Sequence, residues 1–251
     1  MAESARPLGT RILLWTAVTI GLAVGARTGW RLHESVELTR LSKPLQRALA
    51  QPSLRLLIVG DSTAVGTGAN APQASLAGLL GEHFPGLQIE NRARDGAMFA
   101  ELMAQLAGDE RVDMVLVMAG GNDVVRLRGL EALQDDVERV MRRARQRANL
   151  VVLMPAGNVG NAPFFMAPVS WLMTWRSRRL HAIASESASH HDAVLVNLFR
   201  ESADDPFVRQ QALNATDGLH PSDAGYRVWF SELMTQAALP RRLAAALAVD
   251  R

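Results

Sequence analysis

Cysteine is absent from this chain of 251 residues, aromatic side chains make up only 5% of it, and the formal charge is close to balance at +2. Each scarcity removes a class of explanation. Without thiolates, any zinc site would rest on histidine and carboxylates alone, and the lack of cysteine neither supports nor excludes an oxidising compartment. The sequence pI is near 9.8, and basic residues gather at Arg139, Arg142, Arg143, Arg145 and Arg147. With so few aromatics they read as the solvated C-terminal end of a helix from about Gly129 to Ala148, where cations favour the helix dipole, and no nucleic-acid partner is expected. There is no internal repeat, no low-complexity linker, no P-loop and no H-E-x-x-H. The nucleophile-elbow pattern G-x-S-x-G fails because Ala64 stands where its second glycine belongs. Gly66-Thr67-Gly68-Ala69-Asn70-Ala71 formally fits G-x-G-x-x-A, but it starts several residues after the strand before it and runs straight into Pro72. A coincidental match is the better reading.

Long apolar runs are scarce too. Near the N-terminus an uncharged stretch, Ile12 to Ala26, has fifteen residues between Arg11 and Arg27, short of the roughly 20 that a spanning helix needs and close to a signal-peptide core. Val24 and Ala26 would suit cleavage, whereas Arg27 and Arg31 hinder export and suit an uncleaved anchor. Membrane association through Ile12–Ala26 is therefore expected, as an anchored or exported (periplasmic) protein of open orientation. The competing reading is a helix packed on the domain through Trp15, Gly21 and Gly25. Residues 1–31 form this segment, 32–52 a connecting amphipathic helix broken at Pro44, and 53–251 one domain.

What is present is a strand-and-helix alternation. Short apolar runs near 54–59, 87–91, 114–119, 150–154 and 193–197 alternate with longer amphipathic stretches, which predicts a three-layer α/β/α sandwich around a parallel sheet of about five strands. Four of the exits from these runs, or segments near the C-terminus, carry polar residues. Ser62 follows Leu54-Arg55-Leu56-Leu57-Ile58-Val59-Gly60-Asp61, just past the end of a strand where ligands bind in open α/β sheets. It reads equally as a helix cap or as a nucleophile. Asp217-Gly218-Leu219-His220 offers a base and an acidic partner in one turn, although a lone D-x-x-H is most often a solvated loop. Gly120-Gly121-Asn122-Asp123 delivers an amide that suits an oxyanion, or a turn that caps the next helix. Arg94-Asp95-Gly96-Ala97 could present a bare N–H.

Taken in order, these four segments resemble the blocks of the SGNH (GDSL-type) serine hydrolase superfamily, over about Leu54 to Tyr226. The first block has Thr63 where leucine is usual. The resemblance implies a flavodoxin-like sandwich, Ser62 as nucleophile with Asp217 and His220 as triad partners, and the N–H groups of Ser62 and Gly96 with the Asn122 amide as oxyanion donors. It implies hydrolysis of a small-molecule or lipid acyl ester with no cofactor and no metal. Asp61 and Asp123 would brace their loops. An acyltransferase or deacetylase acting on an envelope glycan or lipid uses the same residues, and a non-catalytic binding protein could keep the fold.

The apolar segment after the fourth strand supplies the expected substrate wall, Phe164, Phe165 and Met166, at the exit Met154 to Asn161. Leu172 and Trp175 read better as the buried face of the following helix. His190-His191-Asp192 is the densest candidate ligand cluster and reads as a solvated turn.

Overall fold

The structure is a computed structural model that describes residues 8–249. Its elements run in the order α1 (Leu8–Leu41), β1 (Leu54–Gly60), α2 (Ser62–Val65), α3 (Leu76–His83), β2 (Leu87–Asn91), α4 (Leu102–Gln105), β3 (Val112–Met118), α5 (Gly121–Val125) and α6 (Leu130–Arg147). The chain continues through β4 (Ala148–Leu153), α7 (Val169–His190), β5 (Val194–Leu195), α8 (Pro206–Arg209), α9 (Asp223–Gln236) and α10 (Leu239–Val249). The five strands form one parallel sheet in the order β2-β1-β3-β4-β5. All five expected strands are present, the last only two residues long.

Alternate residues of a strand face opposite sides of the sheet, and the apolar runs supply both faces. Leu57, Val59, Val115, Val117, Val151 and Leu153 pack with α4, α6 and α7 through Leu102, Val137, Met141 and Leu180. Their neighbours Leu56, Ile58, Met114, Leu116, Met118 and Val152 pack on the other face with α3, α9 and α10 through Leu80, Tyr226, Leu233 and Leu243. The result is a three-layer sandwich. Each fully buried aliphatic side chain contributes on the order of 1.5–3 kcal/mol.

The strand order sets the site. The chain moves outward from β1 to β2 and then returns to the other side with β3, so a crevice opens at the carboxyl ends of β1 and β3. Their register pairs Gly60 with Met118, which brings the residues after both strands together.

Two expectations change. The helix expected over Leu32 to Ala50 is the second half of α1, which runs unbroken from Leu8 and stops at Leu41, ahead of Pro44. Residues after it are extended instead: Arg47 and Ile89 exchange backbone hydrogen bonds of 2.9 Å, so the connection covers the free edge of β2. The segment Ile12–Ala26, expected to associate with a membrane, lies inside α1, and no helix among the described residues is long and apolar enough to cross a membrane. The basic end of α6 is also not simply solvated. Arg147 is buried and donates to the carbonyls of Leu106, Ala107 and Glu110, and Arg143 reaches Asp109 and the Gly108 carbonyl. These arginines pin the loop before β3.

Candidate functional site

Ser62 opens α2, immediately after β1. Asp61 is the N-cap, its Oδ1 accepting the Thr63 N–H at 2.9 Å and the Thr63 hydroxyl at 2.8 Å. Capping therefore falls to Asp61, and the Ser62 hydroxyl is left for another partner. That partner is His220: Ser62 Oγ and His220 Nε2 are 2.9 Å apart. On the far side of the imidazole, Nδ1 lies 2.6 Å from Asp217 Oδ2, while Oδ1 accepts the N–H groups of Leu219 at 2.9 Å and His220 at 3.1 Å.

A buried carboxylate is costly unless it is paired. Burial pushes the Asp217 carboxyl up, but the His220 hydrogen bond, the His220 charge and the two backbone N–H groups outweigh it and hold the group below its ordinary value. An ionised Asp217 bonded to Nδ1–H leaves Nε2 as the acceptor for the Ser62 hydroxyl. The hydroxyl proton thus has a base in line.

The polar groups expected to bind an oxyanion line the same cleft as this hydroxyl. The N–H groups of Ser62 and Gly96 make no hydrogen bond among the described residues. Gly96 adopts φ +75°, a left-handed conformation that suits glycine, in a turn where the Arg94 N–H is tied to the Gly60 carbonyl at 3.1 Å. Asn122 lies in α5, a short helix of its own rather than a cap for α6. One N–H of its amide donates to the Ala97 carbonyl at 3.2 Å, which fixes the side chain beside the Gly96 turn and leaves the second N–H for a ligand. Ser62, Gly96, Asn122 and His220 all line one cleft of about 470 Å³.

Several residues that hold this arrangement carry no motif. Gln105 brackets the end of β1, accepting the Gly60 N–H at 2.7 Å and donating to the Gly60 carbonyl at 3.0 Å. Thr67 Oγ1 donates to Asp95 at 2.6 Å, which joins the loop after Ser62 to the Gly96 turn. Tyr226, fully buried, donates to the Thr67 carbonyl at 2.8 Å. Gly66 caps α2 with φ +100°, and a Cβ on Gly68 would collide with the Pro221 carbonyl, so this G-x-G serves close approach between the two halves of the site.

Asp123 lies beneath the cleft with no exposed surface. Its Oδ2 accepts the Phe99 N–H at 3.1 Å, and its Oδ1 has no partner among the described residues. Burial, followed by the charges of Asp61 and Asp136, pushes its carboxyl up to about 6 against the pull of the Phe99 N–H. Asp61 is likewise pushed up by burial, against the pull of its Thr63 hydrogen bonds. Both carboxylates brace loops, and neither bonds to Ser62 or His220.

The expected substrate wall is displaced. Phe164, Phe165 and Met166 do not line the cleft. Phe165 turns into the core beneath, packed edge-on with Phe164, and the Phe164 N–H donates to the Gly218 carbonyl at 2.9 Å. The segment therefore supports the Asp217–His220 turn from behind. Its place on the cleft is taken by Ala156–Val159, Phe207 and Trp229, together with Leu32, Ser35 and Thr39 of α1. Leu172 and Trp175, expected to be buried on α7, are instead largely exposed, while Met173 of the same helix is buried. His190 and His191 approach Glu138 of α6 at 3.5 and 2.7 Å. No group of His, Asp and Glu among the described residues is arranged to hold a metal ion.

Comparison with known proteins agrees with this architecture. Residues 58–228 match the family described as GDSL-like Lipase/Acylhydrolase. Solved structures with the same fold include an alpha/beta hydrolase enzyme from the metagenome of Lake Arreo, Spain, with a TM-score of 0.60 at 20% identity, covering 74% of this chain and 96% of that one. A lipolytic G-D-S-L family member from Veillonella parvula gives 0.58 at 14%, covering 72% and 96%. An acetyl xylan esterase from Geobacillus stearothermophilus gives 0.54 at 22%, covering 76% and 95%. No curated protein matches the sequence.

Proposed function

The chain belongs to the GDSL-like lipase/acylhydrolase family, and from that premise we propose that it hydrolyses carboxylic esters through Ser62, His220 and Asp217. One observation carries the proposal: the unbroken hydrogen-bonded chain from Ser62 Oγ to His220 at 2.9 Å and from His220 to Asp217 at 2.6 Å. Ser62 Oγ attacks the acyl carbon as its proton passes to His220 Nε2, and Asp217 stabilises the resulting imidazolium. The carbonyl oxygen becomes an oxyanion, which the Ser62 and Gly96 N–H groups and the free N–H of Asn122 stabilise. The alcohol leaves with the proton from His220. Water then attacks the acyl-enzyme with His220 as base, so each turnover consumes one ester and one water.

The cleft favours an ester with an apolar part. Its wall includes Val159, Leu198, Phe207, Leu219 and Trp229. Several of its polar side chains already have partners: Asn158 and Asn161 donate to the Arg200 carbonyl at 3.1 Å, and Asn161 also bonds Asp205 at 2.7 Å. These two amides are not left to read a sugar or a peptide. A small-molecule or lipid ester fits better.

Location at a membrane or beyond it belongs to the same proposal. It is supported by Trp15, Leu22, Val24 and Trp30, which leave large apolar surface exposed on α1. Cell fractionation tests it, and recovery of all the protein in the cytosolic fraction would end it.

The function is tested with p-nitrophenyl esters of increasing acyl length on the wild type and Ser62→Ala. The wild type is expected to turn over at least one chain length, and the variant to lose it. Wild type inert on every ester, or equal rates for the two proteins, would refute the proposal.

A further inference from the structure

Helix α1 lies outside the matched residues 58–228, yet it reaches the cleft. Positions 27, 31, 35 and 39 recur every four residues and so share one helix face. That face lies against the domain. Arg27 donates to the Pro163 carbonyl, Arg31 Nη1 donates to the Asp217 carbonyl at 2.7 Å, and Ser35 and Thr39 line the cleft with Ser62 and His220.

Three features meet at Arg31. Its acceptor is the backbone of the residue whose carboxylate holds His220. The neighbouring Gly218 has φ +65°, and a Cβ there would collide with the Arg31 guanidinium, so the catalytic turn has a space that this side chain fills. Arg31 Nε is buried without a partner among the described residues. A polar group is lodged there at a cost that a solvent-facing arginine would avoid.

We infer that α1 is a wall of the substrate cleft, with Arg31 as a positioning residue for the Asp217-Gly218 turn and Ser35 limiting the size of the group admitted. The inference rests on the ester-hydrolase reading and deepens it. Arg31 acts through Asp217: with its carbonyl released, the turn keeps the Phe164 N–H on Gly218 and its internal bonds, Gly218 N–H to the Ala215 carbonyl and Ala215 N–H to the His220 carbonyl, but loses its tie to α1. The carboxylate then orients the imidazole less often. Small misplacements of catalytic groups are expensive in rate, up to about 10²-fold for about 1 Å. Ser35 acts differently, because a larger side chain at that position would occupy space that a bulky substrate needs.

The experiment measures kcat and KM for one short and one long p-nitrophenyl ester on wild type, Arg31→Ala, Arg31→Lys, Ser35→Phe and, as an exposed control on the same helix, Arg40→Ala. Arg31→Ala should lose about 10-fold in kcat on the short ester with little change in KM, and Arg31→Lys should recover a large part of it by restoring a donor. Ser35→Phe should lower the long-to-short ratio of kcat/KM by about 10-fold or more, chiefly through KM. Arg40→Ala should match wild type. The inference is overturned if Arg31→Ala equals wild type, if lysine does no better than alanine, or if Ser35→Phe leaves the long-to-short ratio unchanged. A wild type that hydrolyses neither ester overturns the hydrolase reading and this inference with it, whereas an active wild type with indifferent variants overturns the inference alone.

Discussion

The end of β1 and helix α1 line one cleft and are built on opposite terms. Around Ser62 nearly every polar atom is bonded within the domain: Gly60 to Gln105 and Arg94, Asp61 to Thr63, Thr67 to Asp95 and Tyr226. Along α1 the side chains joined to the domain are arginines that reach across to backbone carbonyls, Arg27 and Arg31, while Trp30, Leu32 and Val36 remain largely exposed. The first region is buried and densely cross-bonded, with the Ser62 and Gly96 N–H groups, one Asn122 N–H and Asp123 Oδ1 left without partners among the described residues. The second owes its position to a few long side chains over an apolar surface. On the proposed reading, the sheet edge carries the chemistry and α1 the choice of substrate. Changes at the sheet edge should therefore abolish turnover, and changes on α1 should redistribute it among substrates.

The largest effect should come from Ser62→Ala, on the order of 10³-fold or more in kcat, because the nucleophile itself is removed. His220→Ala should cost a similar amount. Asn122→Ala follows at roughly 10²-fold in kcat with a smaller change in KM, as expected for a donor whose bond strengthens in the transition state. A loss confined to KM would move Asn122 from the oxyanion to ground-state binding and blur the comparison.

Tyr226→Phe tests the bracing without touching a reacting group. It removes the hydroxyl bonded to the Thr67 carbonyl at 2.8 Å, and urea unfolding should register a loss of about 1–2 kcal/mol, with a modest fall in activity. Stability unchanged within error would mean that the loop after Ser62 is held mainly by packing.

Asp123→Asn should have the smallest effect on turnover and a pH-dependent effect on stability. The folded carboxyl titrates near 6, above its ordinary value of 3.8, so between these limits the native state binds more protons than the unfolded state. Stability therefore falls as pH rises from about 4 to 6. Asparagine keeps an acceptor for the Phe99 N–H and carries no charge, so chemical denaturation of the variant should be flatter across that window. An identical pH profile would contradict the placement of a buried, poorly partnered carboxylate there.

The fold was legible in the sequence because its strands are local apolar runs, and the candidate reacting groups because each sits in a short motif. Ser62, Gly96 and Asn122 each follow a short apolar strand by a few residues, and Asp217 and His220 share one turn, and the resemblance of these ordered segments to the SGNH blocks is what joins them into one candidate site. The bracing groups were not legible, because each acts at long range: Gln105 on a strand 45 residues earlier, Tyr226 across 159, Arg31 across 186. No spacing rule encodes such contacts. The misplaced substrate wall has a different cause. Phe164, Phe165 and Met166 are apolar residues in a loop at the catalytic edge, but composition does not say which way a loop turns, and this one folds back under the Asp217–His220 turn. The continuity of α1 carries no signal at the boundary between its apolar first part and the amphipathic stretch from Leu32, where no Pro breaks the helix.

The claim that Ser62 is the nucleophile is tested most directly by mass spectrometry after reaction with a p-nitrophenyl alkylphosphonate, whose phosphorus traps a serine as a stable analogue of the tetrahedral intermediate. The account predicts one adduct per chain, on the peptide containing Ser62, with release of one equivalent of p-nitrophenol and no reaction in Ser62→Ala. An unmodified Ser62, or an adduct that persists in the alanine variant, would contradict it.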